Sequence, residues 1–433
     1  MNYQQALEYI SSTYKLGMKK GTQNISKLLE LLDNPQLKVK VIHVAGTNGK
    51  GSTCSFIANT LMKAGYRTGL YTSPFLEVFN ERIRADGKNI PDDALAEIVT
   101  TIKEKTELMV SQGFDHPTEF EITTAAGFMY FAQQDLDYLV LEVGLGGRHD
   151  ATNVIPHPIV TVITSISIDH VDQLGDKIEG IAYEKAGIIK DNVPLILYPQ
   201  AAEAKEVILK EAALHNAPVY MIDPADVNIK STSLYGQVLD MKVLDTVFKD
   251  IEISLIGEHQ SKNALTAATA VKLLNDLKLA DVSDEIIRQG LFDTKWAGRL
   301  ELLKKNPITI IDGAHNEEGA SALAKAVTDY LSEYHVTLVF GMLKDKDVDK
   351  VLSILLPVVD HVIITTPNNE RAMKAEDMAV KIKAYGTEHT LSSSIKDAVE
   401  KGLRIRGEKE AVVYAGSLYM IGEVRTLLNQ ADM

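Results

Sequence analysis

Cysteine is nearly absent from this 433-residue sequence, in which Cys54 is the single example. One cysteine allows no internal disulfide and no zinc site built from several thiolates. A chain without disulfides is typical of a reducing compartment, so we expect a cytoplasmic location.

The sequence also has no apolar run long enough to span a bilayer, and its first residues lack a basic region followed by an apolar stretch. Positive charge is in deficit, because 45 Lys and Arg residues face 59 Asp and Glu residues, a net charge of -14. An acidic chain repels nucleic-acid phosphates. We therefore expect neither a membrane nor a nucleic-acid partner.

The chain does contain enough apolar residues, 45% of the total, for two hydrophobic cores. Short β-branched runs alternate with amphipathic segments, which predicts parallel sheets covered by helices. The predicted strands are at 39–45, 68–71, 138–143, 159–163 and 195–197, and then at 307–312, 336–340, 362–365 and 411–414. We expect an α/β protein with a larger, mainly parallel-sheet domain at 1–295 and a smaller Rossmann-like domain at 296–433.

A glycine-rich segment follows the first predicted strand and precedes a helix. It reads Gly46-Thr47-Asn48-Gly49-Lys50-Gly51-Ser52-Thr53. Backbone N–H groups of such a turn can surround phosphate oxygens, with Lys50 near the β- and γ-phosphates and a Ser52 or Thr53 hydroxyl near phosphate or magnesium. The segment departs from the common phosphate loop, because Val44 replaces the first glycine and Gly51 follows the lysine. We nevertheless expect the domain at 1–295 to be a P-loop-type ATP-binding domain; the alternative is a glycine-rich turn with an exposed lysine.

Three further polar residues can be interpreted from their residue type and position alone. Glu142 ends an apolar strand, where a carboxylate suits magnesium. His170 is more typical of a surface or hydrogen-bonded histidine, since magnesium prefers oxygen ligands. Lys185 lies in a helical run, where lysine is usually a solvated residue.

The phosphate loop and its lysine-glycine-serine ending resemble the Mur ligase superfamily, and within it the folylpolyglutamate synthase branch. Other motifs follow in that family's order across nearly the whole chain. They are Tyr71-Thr72-Ser73-Pro74, Asn80-Glu81-Arg82-Ile83, Glu142-Val143-Gly144-Leu145-Gly146-Gly147-Arg148, Asp150-Ala151-Thr152-Asn153, Asp169-His170, Glu184-Lys185-Ala186-Gly187, Gly298-Arg299, Asp312-Gly313-Ala314-His315-Asn316 and Gly416-Ser417.

This resemblance implies roles that residue types alone do not give. It implies magnesium at Ser73, Glu142 and His170, with two metal sites, and a carbamylated Lys185 that approaches the second magnesium ion. It implies ATP contacts from Thr47, Asn48, Gly49, Lys50, Gly51, Ser52, Asn263, Arg299 and Asp312. Without the family, Ser73 is a turn residue before proline, Arg299 a linker ion-pair partner and Asp312 a strand-end cap.

The resemblance also implies residues for the other substrates. It suggests His315 and Ser417 near glutamate or the reacting group, and Thr118, Phe120, Glu121, Arg148 and Asp150 for the pterin. Phe120 is also compatible with core packing, and His315 or Ser417 with a loop cap. His149 stands where many relatives have an apolar residue, which bears on pterin affinity.

The implied activity is transfer of the ATP γ-phosphate to the γ-carboxylate of a folate, followed by attack of L-glutamate on the acyl phosphate. The implied catalytic residues are Lys50, Lys185 and His315, in a monomer. Dihydrofolate synthesis from dihydropteroate is left open. A cell-wall Mur ligase is the nearest alternative; we expect no extra UDP-binding domain, because only ~40 residues precede the loop. A non-catalytic nucleotide switch is the alternative from another class.

Overall fold

The computed structural model describes residues 1–17 and 21–430, which form two compact units. The first unit comprises Met1–Asn228, Asp240–Ile251 and Lys262–Thr294. The second comprises Ile229–Leu239, Glu252–Ser261 and the described chain from Lys295 onward. The two short segments group with the second unit because Ile256 belongs to its core and Leu234 packs against that core. The boundary predicted from the sequence, between residues 295 and 296, does not include the grouping of these two segments with the second unit.

The first unit is built on an eight-stranded sheet in the order β4-β3-β2-β5-β1-β6-β7-β8. The six strands from β2 to β8 in that order are parallel, whereas β3 and β4 form an antiparallel edge. Its strands are β1 Lys40–Ala45, β2 Thr68–Tyr71, β3 Ile83–Ala85, β4 Lys88–Asn89, β5 Tyr138–Glu142, β6 Val160–Ile163, β7 Leu195–Leu197 and β8 Val219–Met221. All five residues of β5 are buried, as expected for a strand with helices on both faces.

Helices precede, connect and follow these strands along the chain. They are α1 Tyr3–Ser12, α2 Gln23–Leu31, α3 Lys50–Lys63, α4 Asp92–Ser111, α5 Glu119–Gln133, α6 Val171–Leu174, α7 Ile178–Ala186, α8 Ala202–Leu214, α9 Glu258–Asp276 and α10 Asp284–Asp293. Helix α3 begins at Lys50, within the glycine-rich segment itself. No helix of residues 1–17 and 21–430 is both long enough and apolar enough to cross a membrane.

A small sheet lies in the region 227–253, where the division between the units runs through its strands. Its strand order is β11-β10-β9. The strands are β9 Val227–Ser233, β10 Gly236–Val243 and β11 Thr246–Ile253. Residues of β10 alternate between buried and half-buried or exposed, the pattern of a sheet with one covered face.

The second unit has a six-stranded sheet in the order β12-β13-β17-β14-β15-β16. Strand β12 is antiparallel to β13 and the other strands are parallel. Its strands are β12 Glu301–Lys305, β13 Ile308–Ile311, β14 His335–Phe340, β15 His361–Ile364, β16 Glu388–Leu391 and β17 Glu410–Ala415, and its helices α11 Glu317–Leu331, α12 Val348–Leu355, α13 Ala375–Ala384, α14 Ile395–Arg404 and α15 Leu418–Gln430. The predicted α/β class with a large, mainly parallel sheet and a second α/β domain is confirmed.

Candidate active site

The phosphate loop turns sharply between β1 and α3, and glycine makes that turn possible at two positions. Gly46 has φ 152° and Gly49 has φ 82°, values that side chains with a Cβ rarely adopt. A Cβ on Gly49 would lie 2.6 Å from Oδ1 of Asn263, a buried residue of α9. The loop therefore needs glycine for both its conformation and its close approach to Asn263.

A second loop, residues 164–167 after β6, is hydrogen-bonded to the phosphate loop. The Thr47 N–H donates to the Ser165 carbonyl at 2.7 Å, and the Thr47 hydroxyl donates to the Ser167 carbonyl at 3.1 Å. The Thr164 hydroxyl donates to the Asn48 carbonyl at 2.8 Å. These contacts hold the phosphate loop in place, and the sequence alone predicted no role for this Ser-rich stretch.

Gln200 holds this second loop in turn. Its side-chain amide donates to the Thr164 carbonyl at 2.7 Å and accepts from the Ile166 N–H at 3.0 Å. Gln200 follows β7 in the sequence and belongs to no motif, so sequence reasoning did not find it. The one indication in the sequence was its position, because a polar residue just beyond a buried strand lies at the sheet edge where ligands bind.

Lys50 connects the phosphate loop to the end of β5. Its ammonium donates to the Thr47 carbonyl at 3.0 Å and lies 4.0 Å from Oε1 of Glu142. Glu142 is only 4% exposed, and its Oε2 accepts from the Ser73 N–H at 3.1 Å. The structure thus brings together Lys50, Ser73 and Glu142, three residues predicted for phosphate and metal. A carboxylate and a neighbouring serine suit magnesium, which takes one or two protein oxygens and keeps several waters.

Lys185 is buried, although a helical lysine is usually solvated. It is 4% exposed, and its ammonium donates to the Gly46 carbonyl at 2.8 Å. The pKa of Lys185 is lowered to about 7, chiefly by burial and also by the positive charge of Lys50, while Asp169 and Asp150 oppose the shift. The interpretation of Lys185 as a solvated residue is wrong, because the last turn of α7 packs against the phosphate loop.

His170 lies three residues beyond the loop that holds Thr47. Its φ is 53°, its side chain is 43% exposed, and its backbone N–H donates to Oδ1 of Asp169 at 2.7 Å. Within residues 1–17 and 21–430, no group of three or more His, Cys, Asp or Glu side chains is arranged to hold a metal ion. A metal role for His170 stays a prediction.

In the second unit, Asp312 follows β13 and stabilises the turn around it. Its two carboxylate oxygens accept from the Leu300 and Ala314 N–H groups, both at 2.8 Å. Burial raises the pKa of Asp312, and the nearby Arg299 guanidinium opposes that shift. Asp312 is therefore a local cap with an arginine beside it, a position compatible with the ATP role implied by the family.

His315 and Ser417 lie at loops that leave the same sheet. The His315 Nδ1 is 2.7 Å from the Gly313 carbonyl, which accepts only, so Nδ1 carries the proton. Ser417 is 3% exposed and follows Gly416, whose φ is 113°. Because β13 and β17 are parallel neighbours, the residues after both strands lie at one sheet edge. Their predicted roles toward glutamate stay predictions.

Two of the residues predicted for the pterin cap helix α5. The Thr118 N–H and hydroxyl donate to Oε2 of Glu121, at 2.8 and 3.0 Å, and the Glu121 N–H donates back to the hydroxyl. This reciprocal pair satisfies N–H groups at the start of the helix. Phe120, between them, packs against the first unit's core and lies 6.4 Å from the ring of Tyr71.

The other two predicted pterin residues also have protein partners. Arg148 donates to Glu211 at 2.7 Å and stacks on Tyr183, with 3.9 Å from its guanidinium carbon to the ring centroid. Asp150 accepts from the Leu145 and Thr152 N–H groups at 2.8 and 2.9 Å, and burial raises its pKa. Both residues fix the loop that follows Glu142.

Comparisons with known proteins agree over nearly the whole length. Residues 44–271 match the Mur ligase middle domain and residues 298–418 match the Mur ligase glutamate ligase domain. The chain is 39% identical over 430 residues to a dihydrofolate synthase/folylpolyglutamate synthase of Bacillus subtilis, covering 98% of this chain and 99% of that protein. It is 35% identical to a folylpolyglutamate synthase of Lacticaseibacillus casei, covering 99% of each.

A solved structure, Mycobacterium tuberculosis folylpolyglutamate synthase complexed with ADP, superimposes with a TM-score of 0.90 at 34% identity and covers 99% of both chains. The chain belongs to the folylpolyglutamate synthase and dihydrofolate synthase family of Mur ligases, which are ATP-dependent ligases.

Proposed function

We propose that this chain uses ATP to join L-glutamate to the γ-carboxylate of a folate through an acyl phosphate. The observation that carries the proposal is the junction of Lys50, Glu142 and Ser73 beside a glycine turn at the start of a 14-residue helix. Such a turn presents backbone N–H groups and a partial positive charge to phosphate. The relatives' names supply the substrate class.

The first step moves the γ-phosphoryl group of ATP to a carboxylate oxygen of the folate, and ADP leaves. Lys50 offsets the negative charge of that group, since its ammonium already lies at the loop's edge. Magnesium, held through Glu142, Ser73 and, as the family implies, His170, would screen the phosphate oxygens. Asn263, Arg299 and Asp312 are the further residues proposed for the nucleotide.

In the second step, the amine of glutamate attacks the acyl carbon, phosphate leaves and an amide bond forms. The amine loses a proton in this step. His315 and Ser417 are proposed to position the glutamate, because both lie at the carboxyl edge of the second sheet, where α/β proteins usually bind ligands. Exclusion of water prevents hydrolysis of the acyl phosphate, which would waste the ATP used to form it.

Lys185 is proposed to be carbamylated, with the resulting anion directed to a second magnesium ion. Only a neutral amine reacts with carbon dioxide, and burial holds the pKa of Lys185 to about 7, so a substantial neutral fraction exists near neutral pH. The buried environment of this amine supports the proposal, and a solvated lysine would not.

Two substrate questions belong to the same active site. Dihydropteroate is proposed as a second acceptor, because several relatives carry both activity names, among them the Bacillus subtilis protein. A cell-wall ligase is disfavoured by the relatives, whose names refer to folates.

A cytoplasmic location is proposed from the single, buried cysteine, and a monomeric state from the resemblance to the family.

The test is release of phosphate from ATP with magnesium, in the presence or absence of glutamate, with one acceptor at a time. We expect release that requires both glutamate and tetrahydrofolate. Release that requires glutamate and a UDP-muramyl peptide would instead identify the chain as a cell-wall ligase. Binding of ATP without acceptor-dependent release would favour a nucleotide switch.

A further inference from the structure

Arg82 has an unusual environment for an arginine. Its guanidinium carbon lies 5.3 Å from the ring centroid of Phe75 and 5.6 Å from that of Phe79, and its Nε is buried without a hydrogen-bond partner. Within the described chain, no carboxylate is in ion-pair distance of Arg82. A partly buried guanidinium normally has an anionic partner, because its donors are costly to leave unpaired.

The adjacent acidic residue is not available to fill that role. The carboxylate of Glu81 accepts from the N–H groups of Leu76, Glu77 and Val78 at 2.9 to 3.1 Å, and it lies 3.7 Å from the Arg84 guanidinium. The Nε of Arg84 is likewise buried without a hydrogen-bond partner among the described residues, but Arg84 has a carboxylate neighbour, whereas the Arg82 guanidinium faces two aromatic rings.

The backbone of Arg82 is hydrogen-bonded to the segment that enters the proposed site of phosphoryl transfer. Its carbonyl accepts from the Thr72 N–H at 3.1 Å, and the next residue, Ser73, donates to Glu142. In the other direction, Ile83 pairs with Tyr71, whose ring lies 6.4 Å from that of Phe120. Arg82 thus lies on a segment whose backbone pairs with the end of β2, and the buried Tyr71 on that strand neighbours Phe120, which is predicted to contact the pterin.

A folate-type acceptor carries its carboxylates at the end remote from its pterin. We infer that Arg82 binds a carboxylate of the folate-type acceptor and that Phe75 and Phe79 hold the guanidinium in place for it. The inference rests on the proposed function and assigns a recognition group to its acceptor. A guanidinium fork matches a carboxylate by two parallel hydrogen bonds, and the aromatic faces restrict its orientation.

The test compares the binding of tetrahydrofolate with that of its diamide, in which both carboxylates are neutral amides. Calorimetry would measure both affinities for the wild type, Arg82→Met, Arg82→Lys and the matched control Arg84→Met. We expect the wild type to prefer tetrahydrofolate by about 10- to 100-fold, the range for a charge-assisted hydrogen-bonded pair. Arg82→Met should lose that preference, Arg82→Lys should keep part of it, and Arg84→Met should keep it.

The ratio of two affinities within one variant separates recognition from structural damage, because a distorted loop weakens both ligands. A wild-type preference that persists in Arg82→Met would overturn the role of Arg82 and leave the proposed function intact. A wild type that releases no phosphate with tetrahydrofolate and glutamate would instead overturn the proposed function. Circular dichroism of each variant would verify folding.

Discussion

Lys50 is the residue whose removal should affect catalysis most directly. Its ammonium lies between the Thr47 carbonyl and Glu142, so Lys50→Ala removes the positive charge nearest the proposed γ-phosphate. We expect phosphate release to fall at least about 100-fold, the effect typical of removing one group that stabilises transition-state charge. The expected loss of stability is about 1–2 kcal/mol, that of one hydrogen bond from a charged group, because Lys50 belongs to no described hydrophobic cluster.

Steady-state phosphate release and a urea unfolding curve would check both expectations together. Lys63→Ala, which removes a lysine paired with Asp293 on the far end of the same helix, is the control. Wild-type turnover in Lys50→Ala would remove the phosphate loop from the proposed mechanism.

Lys185 gives a pH-dependent prediction. Its amine is protonated below the pKa of about 7 and neutral above it, and only the neutral amine forms a carbamate. We therefore expect carbamate at pH 8 with bicarbonate, and progressive loss of both carbamate and activity as the pH falls below 7. Carbon-13 NMR with labelled bicarbonate would detect the carbamate carbon, with Lys185→Met as the control for other lysines. A wild-type protein without that signal at pH 8 would contradict the proposal.

At the residue scale, the sequence indicates which residues form the phosphate loop but does not indicate which side chains are buried. The phosphate loop could be predicted because glycines followed by a lysine, between a strand and a helix, form a turn that suits phosphate. The burial of Lys185 could not, because it depends on contact with Gly46, 139 positions away in the chain. The same limit applies to Arg82, whose aromatic neighbours become apparent only in the folded loop.

The turn at the start of α3 permits a test of backbone conformation. Gly49→Ala introduces a Cβ at φ 82° and 2.6 Å from Oδ1 of Asn263. Gly65→Ala is a matched control, since Gly65 has φ 89° and no atom within 4 Å of an added Cβ. We expect Gly65→Ala to cost about 1 kcal/mol of unfolding free energy from its backbone alone.

Gly49→Ala should cost at least as much and should also weaken ADP binding, because the phosphate loop and Asn263 must both move. Thermal unfolding with and without ADP would measure both effects. Equal ADP affinities in the two variants would indicate that the shape of this turn is irrelevant to the nucleotide.

At the scale of elements, the alternation of apolar runs and amphipathic segments correctly predicted most of the parallel strands and the presence of helices between them. Edge strands β3 and β4 were not predicted, because they have only three and two residues and no clear apolar alternation. The contacts between the phosphate loop and residues 164–167 were also beyond sequence reasoning. They are local to the sheet edge but separated by more than 110 residues in the chain.

For the whole molecule, the important feature is that each unit has hydrophobic core residues of its own. Leu139 on β5 belongs to a core of the first unit and Leu338 on β14 to the core of the second, and each is at most 1% exposed. Truncation of either to alanine should cost about 2–5 kcal/mol of unfolding free energy. We expect each substitution to accelerate amide exchange mainly in its own unit, as hydrogen-exchange mass spectrometry would show. Uniform acceleration throughout the chain would mean that the two units unfold as one.

The hydrogen bonds around Thr47 and Asn48 have a thermodynamic consequence for the nucleotide. A flexible loop that closes around phosphate loses conformational entropy on binding, and that loss reduces its affinity. Here, the carbonyls of Gly46, Thr47 and Asn48 already accept from Lys185, Lys50 and Thr164, respectively. The turn therefore loses its conformational entropy during folding, and nucleotide binding requires little further ordering of it.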